Sequence, residues 1–478
     1  MSTMEKVTLN KTKIVATVGP ASASKEMLRA LIKEGVDVFR LNFSHGVHET
    51  HQKVIDAVRE LNKELGTNIA LLQDLQGPKI RVNEMEDGVE LVPGQELIIT
   101  TRELKGNNEI VSTSYKELPN DVKLGDMILI DDGKIELKVL EVRGIDVVCQ
   151  VKYGGPLKSR KGINLPFTKV TAPSLTEKDQ IDLMFGLKNR IDWIALSFVR
   201  KASDIEALRK IINQHNPASR IVAKIEKPEA LENLDSIIEA TDGVMVARGD
   251  LGVEIWMEEV PMVQKKIIEK CNCLSKPVIV ATQMMESMIE NPRPTRAETN
   301  DVANAVMDGA DALMLSAETA SGKFPLEVIR SMVRTISSVE KQAKIFYRYR
   351  PVDPKSPVYI NDSLILAACK LAEEVNAKAI VGLTESGYTA FKSSAHRPQA
   401  NIFAFTHNPD ILNTLSLVWA TKAYFYDKDG STDETIADIE RILKGDGHLQ
   451  PGDVFISLTS IPIHEKNRTN MLKVNVVK

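Results

Sequence analysis

Eight short apolar segments, separated by amphipathic stretches with helical spacing, constrain the fold of this chain most strongly. Most are β-branched and apolar throughout, which is typical of parallel strands buried on both faces. We predict strands at Lys13–Val18, Val36–Leu41, Ile69–Leu72, Trp193–Phe198, Ile221–Ile225, Gly243–Ala247, Pro277–Ala281 and Ala312–Leu315. We predict helices between them at Lys25–Lys33, Val47–Leu65, Ala202–Ile212 and Met262–Cys273. These units favour an α/β fold, a (β/α)8 TIM barrel with functional residues at the C-terminal strand ends, over an open doubly wound sheet.

The helical spacing disappears between Gly77 and about Val170, where strand and turn signals replace it. We predict strands there at Glu96–Thr100, Met127–Asp131 and Ile135–Val142, punctuated by glycine-containing turns. This pattern predicts a small β-barrel domain at 78–169, inserted after the third barrel strand and able to move as a lid.

A basic, proline-bearing stretch follows Glu340 and is typical of a linker. A second α/β alternation then begins. We predict helices at Asp362–Glu374 and Thr389–Ser394, and strands at Ala379–Leu383, Ile402–Phe405, Ala423–Phe425 and Val454–Leu458. This alternation predicts a separate three-layer domain at 346–478 and leaves 1–77 and 170–345 for the barrel.

The composition excludes several classes of protein. The chain of 478 residues has a formal net charge of −4, whereas nucleic-acid-binding domains are usually basic. No apolar run approaches the roughly 20 residues that cross a bilayer, and the N-terminus lacks the features of a secretory signal. The four cysteines are scattered and indicate no disulfide framework. We expect a cytoplasmic protein without nucleic-acid or membrane partners.

Lys224 and Glu226 lie two residues apart in one apolar strand and therefore share a face. A charge in such surroundings is costly unless it is paired or bound to a ligand. The next strand is followed by Gly249 and Asp250, in a tight turn whose free N–H groups could hold an anion. Two carboxylates beside a lysine suit Mg²⁺ or Mn²⁺ and a phosphate. A purely structural ion pair is the alternative for Lys224 and Glu226.

Polar side chains also follow the second and third predicted strands. Arg40, Asn42 and Ser44 alternate onto one side, and Asp74 adds a carboxylate at the next strand end. Since arginine favours bidentate phosphate contacts, Arg40 and Arg81 are candidates for holding a phosphoryl group. An ordinary polar strand end with a helix cap would also explain the segment around Arg40.

Hydroxyl side chains end the last two predicted strands, at Thr282 and Ser316. Either one alone would be an ordinary satisfied polar group. Beside a metal site, anion binding or proton relay becomes a reasonable function. The chain has no complete P-loop, no GxGxxG and no HExxH motif.

These motifs together resemble the pyruvate kinase family over nearly the whole chain. The matching segments, in order, are KTKIVATVGPAS, VFRLNFSHG, DLQGPKIR, KGINLP, AKIEKPEA, VARGDLGVE, ATQMMESM, NPRPTRAE and DVANAVMDGADALMLSAETASGKFP. The resemblance implies a barrel, an inserted lid, a C-terminal regulatory domain and a homotetramer. It also implies transfer of a phosphoryl group from phosphoenolpyruvate to ADP, giving enolpyruvate that is protonated to pyruvate.

The resemblance implies roles for the residues around the metal. Glu226 and Asp250 match the ligands of Mg²⁺ or Mn²⁺, and Lys224 matches the lysine that neutralises the phosphoryl group in transfer. Backbone N–H groups near Gly249 and Asp250, together with Thr282, would hold the substrate carboxylate. Positioning and charge neutralisation supply most of the catalysis in such reactions.

Further roles follow from the same resemblance. Ser316 would belong to the proton route, Arg40 and Arg81 would face phosphates, and the nucleotide side would be lined by Asn42, His45, Arg81 and Lys201. One alternative is another metal-dependent barrel enzyme acting on oxo-acid enolates, such as an aldolase or lyase. The other is a catalytically inactive, metabolite-binding homologue.

The chain departs from the family at the monovalent-cation pocket. Many members hold K⁺ with residues that match Asn42, Ser44 and Asp74, helped by a threonine. Here Leu75 replaces that threonine, and Lys79 replaces the glutamate of the family's Asp-Thr-Lys-Gly-Pro-Glu. We hypothesise that the Lys79 ammonium replaces K⁺ and makes the enzyme independent of that ion. A plain surface lysine is the alternative.

A second departure concerns the effector site. The segment containing Thr384, Ser386, Gly387 and Thr389 resembles the family loop that binds an effector phosphate at a helix N-terminus. Glu385 would place a negative charge beside that phosphate. The family's glycine-rich loop is replaced by Thr459-Ser460-Ile461-Pro462-Ile463-His464-Glu465-Lys466. We therefore expect no activation by fructose 1,6-bisphosphate, and either no effector or a different phosphorylated one.

Overall fold

A closed barrel of eight parallel strands is the central feature of the computed structural model, which describes residues 10–166, 168–428, 430–461 and 468–478. Each strand pairs with the next in the chain, and the last pairs with the first. The strands are Lys13–Thr17, Val38–Asn42, Ala70–Asp74, Trp193–Leu196, Arg220–Ile225, Gly243–Ala247, Val278–Ala281 and Ala312–Leu315. The prediction of a closed barrel is confirmed, and the open doubly wound sheet is excluded.

Helices surround the barrel and bury its outer face. They are Lys25–Glu34, His48–Leu65, Glu177–Lys188, Ala202–His215, Pro228–Glu232, Leu234–Ala240, Arg248–Glu254, Val260–Cys273, Arg296–Asp308, Ala317–Ala320 and Pro325–Glu340. Local capping sets their ends. The helix Arg296–Asp308, for example, begins with a reciprocal capping box between Thr295 and Glu298 and ends at Gly309 with φ +104°. One apolar core fills the barrel and a second lies between strands and helices.

The inserted segment forms a curled sheet of six strands with its own apolar core. In sheet order the strands are Ile163–Asn164, Met127–Ile130, Ile135–Arg143, Asp146–Tyr153, Glu96–Thr100 and Ile110–Ser112, with Glu90–Leu91 and Gly155–Pro156 forming a separate pair and one short helix at Leu118–Asp121. Single bridges from Arg81 to Gly162 and from Val82 to Thr113 link the two edges. Because single bridges do not make a continuous ladder, the predicted small barrel is only loosely closed within the described residues.

The C-terminal part forms a five-stranded sheet between helices. In sheet order the strands are Thr421–Phe425, Asn401–Thr406, Ala379–Leu383, Val454–Thr459 and Met471–Val476, and only the last is antiparallel. The helices are Tyr359–Glu374, Tyr388–Ala395, Pro409–Leu412 and Thr432–Gly445. The first and last of these helices pack on opposite faces of the sheet, which makes three layers as predicted. The proposed boundaries at 77/78, 169/170 and 345/346 stay predictions.

A buried arginine joins the barrel to the C-terminal sheet. Arg397 donates hydrogen bonds to Asn272 Oδ1 at 2.8 Å and to the Gly309 carbonyl at 2.7 Å, and it pairs with Asp311 at 3.1 Å. Its guanidinium also lies 4.9 Å from the ring centroid of Trp419. These contacts fix the base of the barrel against the C-terminal part.

No described helix is long and apolar enough to span a membrane.

His396, at the end of the helix Tyr388–Ala395, should make the stability of the C-terminal part depend on pH. Its Nδ1 accepts the Arg350 N–H, and burial together with the charge of Lys392, opposed by Asp362, lowers its pKa to about 4. Since the folded pKa is below that of the unfolded chain, the neutral ring stabilises the fold above about pH 6.5. As the pH falls towards 4, we expect unfolding to become easier by about 3 kcal/mol.

Denaturant unfolding of the protein and of His396→Asn, followed between pH 7.5 and 4.5, checks this expectation. The variant retains an acceptor for the Arg350 N–H but has no titrating ring, so its stability should vary less with pH. An identical pH dependence in the two proteins would contradict the assignment.

Candidate active site

Charged side chains from three barrel strands and a residue just beyond one of them form one buried cluster. Arg40 Nε lies 2.7 Å from Asp74 Oδ2. Lys224 Nζ lies 3.2 Å from Asp74 Oδ1 and 2.8 Å from Glu226 Oε1. The side chains of Asp74 and Glu226 are 2% and 1% exposed, so water screens these charges poorly. Of the predicted phosphate-binding and metal-binding residues, Arg40, Lys224 and Glu226 therefore lie together.

The cluster shifts the pKa of each group in a physically clear direction. Burial lowers the pKa of Lys224, but the carboxylates of Asp74, Glu226 and Asp250 outweigh burial and raise it, so the ammonium is charged. Burial raises the pKa of Asp74, but Lys224 and Arg40 lower it below its usual value. Burial raises the pKa of Glu226, Lys224 opposes this, and Asp250 adds to it. Glu226 is thus the carboxylate with the most to gain from a further cation.

Glu226 also has an oxygen that suits a metal ion. Its Oε2 accepts the N–H of Phe198 at 2.8 Å. Its Oε1 contacts Lys224 Nζ at 2.8 Å and has no other partner among the described residues. No group of three or more histidine, cysteine, aspartate or glutamate side chains capable of holding a metal occurs in the described part of the chain. A cation here would complete its coordination with substrate and water oxygens, as Mg²⁺ commonly does.

Asp250, the second predicted metal ligand, lies in the helix Arg248–Glu254. Its side chain is 27% exposed and is therefore more open than that of Glu226. Lys79 Nζ lies 3.5 Å from Asp250 Oδ1. The lysine that replaces the family's glutamate is therefore paired with a predicted metal ligand. Asp74 contacts Arg40 and Lys224, and its assignment to the monovalent-cation pocket stays a prediction.

Thr282 is held in an unusual conformation directly opposite Gly249. Its φ of +69° lies in the left-handed region, which is unfavourable for a β-branched residue. The Thr282 hydroxyl accepts the N–H of Gly249 at 2.7 Å. A Cβ atom on Gly249 would lie 3.3 Å from that hydroxyl, so glycine permits the close approach. In this conformation the Gly249 N–H that was predicted to hold a substrate carboxylate is already bonded.

Ser316 lies beside a buried carboxylate that the sequence reasoning did not assign. Glu318 accepts the N–H of Ser316 at 2.7 Å and that of Met285 at 3.3 Å. Burial raises the pKa of Glu318, while these backbone N–H groups lower it. Glu318 therefore connects the loops that follow the last two strands, the same loops that carry Ser316 and Thr282.

The predicted nucleotide-side residues are less closely grouped. The Asn42 side chain accepts the N–H of Ser44 at 3.1 Å. Burial lowers the pKa of His45, and the nearby charges of Arg81, Arg40 and Lys79 lower it further.

Two other expected residues add no polar side-chain contact to the charged cluster. Leu75 is buried and supplies no polar group. Lys201 is exposed, and its backbone N–H caps the helix Ala202–His215 through Asp204. Their predicted roles stay predictions.

Two hydroxyl residues complete the cluster and were missed in the sequence. Thr17 accepts a hydrogen bond from Arg40 Nη1 at 3.0 Å and donates to the Leu315 carbonyl. Ser197 accepts one from Lys224 Nζ at 2.7 Å. Both come at the end of an apolar strand, as Thr282 and Ser316 do. Their position at a strand end was the only feature of the sequence that could have identified them.

The predicted effector segment lines a large cavity in the C-terminal part. The cavity has a volume of about 870 Å³, and its walls include Thr384, Ser386 and Thr389. Gly387, whose φ is +80°, begins the helix Tyr388–Ala395 and donates its N–H to Thr384 Oγ1 at 3.0 Å. Glu385 also lines the cavity. Of the segment Thr459–Lys466, residues 462–466 lie outside the described part of the chain.

Comparisons with known proteins agree along nearly the entire chain. The family model described as the pyruvate kinase barrel domain matches residues 9–329, and that of the pyruvate kinase alpha/beta domain matches residues 362–475. A Staphylococcus epidermidis protein named pyruvate kinase is 43% identical over 477 residues, which cover 98% of this chain and 81% of that protein. A Staphylococcus aureus pyruvate kinase is also 43% identical, over 476 residues, with the same coverage.

A solved structure is similar over the same length. The crystal structure of a pyruvate kinase from Cryptosporidium parvum has a TM-score of 0.92 and 38% sequence identity. The match covers 99% of this chain and 97% of that one. Sequence and fold therefore indicate the same relationship.

Proposed function

The chain belongs to the pyruvate kinase family, whose members are phosphotransferases, and on that premise we propose how its residues perform the reaction. Phosphoenolpyruvate and ADP are the substrates, and pyruvate and ATP are the products. The observation that carries the proposal is the buried contact of Lys224 with both Asp74 and Glu226 at the barrel rim. An aldolase or lyase does not fit the family, and an inactive homologue does not fit a complete set of charged groups.

Lys224 neutralises charge on the phosphoryl group as it passes to ADP. Its ammonium is charged and buried, and Asp74 and Ser197 hold it in one position. Arg40, fixed by Asp74 and Thr17, contacts the same phosphate from the neighbouring side. Because these donors are already oriented, they stabilise the developing charge without reorganising.

Glu226 and Asp250 would hold the divalent cation, Mg²⁺ or Mn²⁺. When bound, the cation neutralises negative charge on the substrates and helps to orient them. Thr282 and the backbone near Gly249 and Asp250 hold the carboxylate of phosphoenolpyruvate, for which the Thr282–Gly249 bond has to open. Ser316, kept in place by Glu318, belongs to the route that protonates enolpyruvate. A homotetramer, which rests on the family alone, and a cytoplasmic location, which is expected from the sequence, are part of the proposal.

Replacing Lys224 by methionine should abolish phosphoryl transfer, because the side chain keeps similar bulk but loses its charge. We expect the turnover number to fall by about 10²–10³-fold or more. The measurement is a steady-state assay of pyruvate formation, with circular dichroism to establish that the variant is folded. Lys25→Met, which changes a surface lysine paired with Glu60 and Glu64, is the matched control and should remain active. Near-normal turnover of Lys224→Met would refute the role.

We also propose that the Lys79 ammonium replaces the monovalent cation. Its contact with Asp250 supports a location beside the metal carboxylates, where a fixed positive charge performs the electrostatic role of K⁺. The buried, apolar Leu75 offers no ligand oxygen from its side chain.

Steady-state rates should therefore be equal in K⁺ and in tetramethylammonium at the same ionic strength. The double variant Lys79→Glu with Leu75→Thr should be active only when K⁺ is present. Lys134→Glu, a change of an exposed lid lysine, controls for net charge. Strong activation of the unmodified enzyme by K⁺ would count decisively against the proposal.

We propose that the 870 Å³ cavity binds either no effector or a phosphorylated effector other than fructose 1,6-bisphosphate. Lys428 and Arg468 line the cavity, but Glu385 and Asp427 bring opposing charge to the same walls. Arg220 offers a connection to the active site, since it donates to the Ser386 carbonyl at 3.0 Å and begins the strand that carries Lys224.

Adding fructose 1,6-bisphosphate should leave the phosphoenolpyruvate saturation curve unchanged, because Glu385 places a negative charge beside the predicted phosphate-binding segment. The test measures half-saturation with and without the bisphosphate, in the protein and in Glu385→Ser. A response that appears only in Glu385→Ser would support the repulsion. A leftward shift in the unmodified protein would overturn the proposal.

A further inference from the structure

The lid is fastened to the barrel where the chain leaves the barrel and where it returns. At the exit, Gly77 packs so closely on Phe198 that a Cβ would lie 2.7 Å from the ring. At the return, Arg200 donates hydrogen bonds to the carbonyls of Val170 and Ala172. Phe198 and Arg200 belong to the single loop that follows the strand Trp193–Leu196. Both connections therefore rest on one loop of the barrel.

A third fastening is a buried polar group of three side chains. Asn164, in the lid strand Ile163–Asn164, donates its side-chain N–H to Glu254 Oε1 at 3.0 Å. Lys227 Nζ donates to the same oxygen at 2.7 Å. Asn164, Lys227 and Glu254 are only 8%, 7% and 1% exposed. One carboxylate oxygen of the barrel thus receives a donor from the lid and a donor from the barrel.

This group is directly connected to both predicted metal ligands. Lys227 immediately follows Glu226 in the chain. Glu254 lies four residues after Asp250 in the helix Arg248–Glu254, so the two carboxylates share a helix face about one turn apart. A shift of the lid strand would therefore act on Glu254 and, through one helical turn, on Asp250.

A contribution to stability alone poorly explains the buried group of Asn164, Lys227 and Glu254. A buried ion pair is at best a weak stabiliser, because its desolvation offsets the attraction. Glu254 Oε2 is in addition buried without a hydrogen-bond partner, next to a cavity of about 20 Å³. Most buried polar atoms in proteins are paired, so an orphaned carboxylate oxygen at a domain joint calls for another explanation.

We propose that Asn164, Glu254 and Lys227 form a lid latch whose members are positioning residues for the reaction. The latch fixes the lid relative to the helix that carries Asp250, and so makes the geometry of the metal carboxylates depend on how the lid is seated. The inference rests on the metal site proposed above and goes beyond it by naming what aligns that site with the lid.

Asn164→Ala tests the latch in the full-length enzyme, because it removes the lid donor and leaves the Lys227–Glu254 pair intact. Binding of Mn²⁺ without substrates, measured from the electron paramagnetic resonance of free Mn²⁺, should weaken about tenfold, as expected for losing a hydrogen bond to a charged group. The KM for ADP should rise, while kcat at saturating Mn²⁺ and ADP should stay unchanged. Asn164→Asp, which sets a second carboxylate against Glu254, should weaken Mn²⁺ binding further than Asn164→Ala.

Two further variants separate this inference from the metal site itself. Arg102→Ala breaks an exposed ion pair with Asp146 inside the lid and should leave Mn²⁺ binding unchanged. Glu226→Gln removes a predicted ligand and should weaken Mn²⁺ binding strongly.

If Glu226→Gln binds Mn²⁺ normally, the proposed metal site is wrong. If Glu226→Gln weakens binding but both Asn164 variants bind Mn²⁺ normally, the latch is wrong and the metal site stands. A loss of thermal stability in Asn164→Ala with unchanged Mn²⁺ binding would equally overturn the latch, since it would show a purely structural contact.

Discussion

Asp74 is the residue on which the arrangement of the active site depends. One of its oxygens contacts Arg40 and the other contacts Lys224, so it holds the two cations that face a phosphate. Removing Asp74 would leave two buried positive charges that repel each other, which is far more costly than losing one surface pair. Lys224 in turn joins Asp74 to Glu226. The site is therefore one electrostatic unit, and its members cannot move independently.

The lid is inserted next to the same group of charged residues. The lid leaves the barrel just after the strand that ends in Asp74 and returns against the loop whose Phe198 N–H binds Glu226. Lys79, at the start of the lid, is paired with Asp250. The exit of the lid thus contacts a predicted metal ligand, and its return lies against the loop that bonds Glu226.

Much of the fold could be predicted from local pattern. Continuous apolar runs such as Gly243–Ala247 and Ala312–Leu315 were predicted with their observed bounds. Such short runs are typical of parallel strands that are buried on both faces. Predicted strand ends elsewhere moved by a residue or two, as at Val38–Asn42, where polar residues continue the strand. The lid was predicted as a barrel, but its edges meet only through single bridges, a long-range property that local pattern does not contain.

The site was partly predictable for the same reason. The sequence by itself determined that Lys224 and Glu226 share a face and that Arg40, Asp74 and Thr282 end parallel strands, since alternation and strand direction are local. Only the tertiary structure decided that Asp74 binds two cations, that Lys79 reaches Asp250, and that Asn164 meets Glu254. Those contacts join residues far apart in the chain, and their partners are set by barrel closure and by how the lid rests on it.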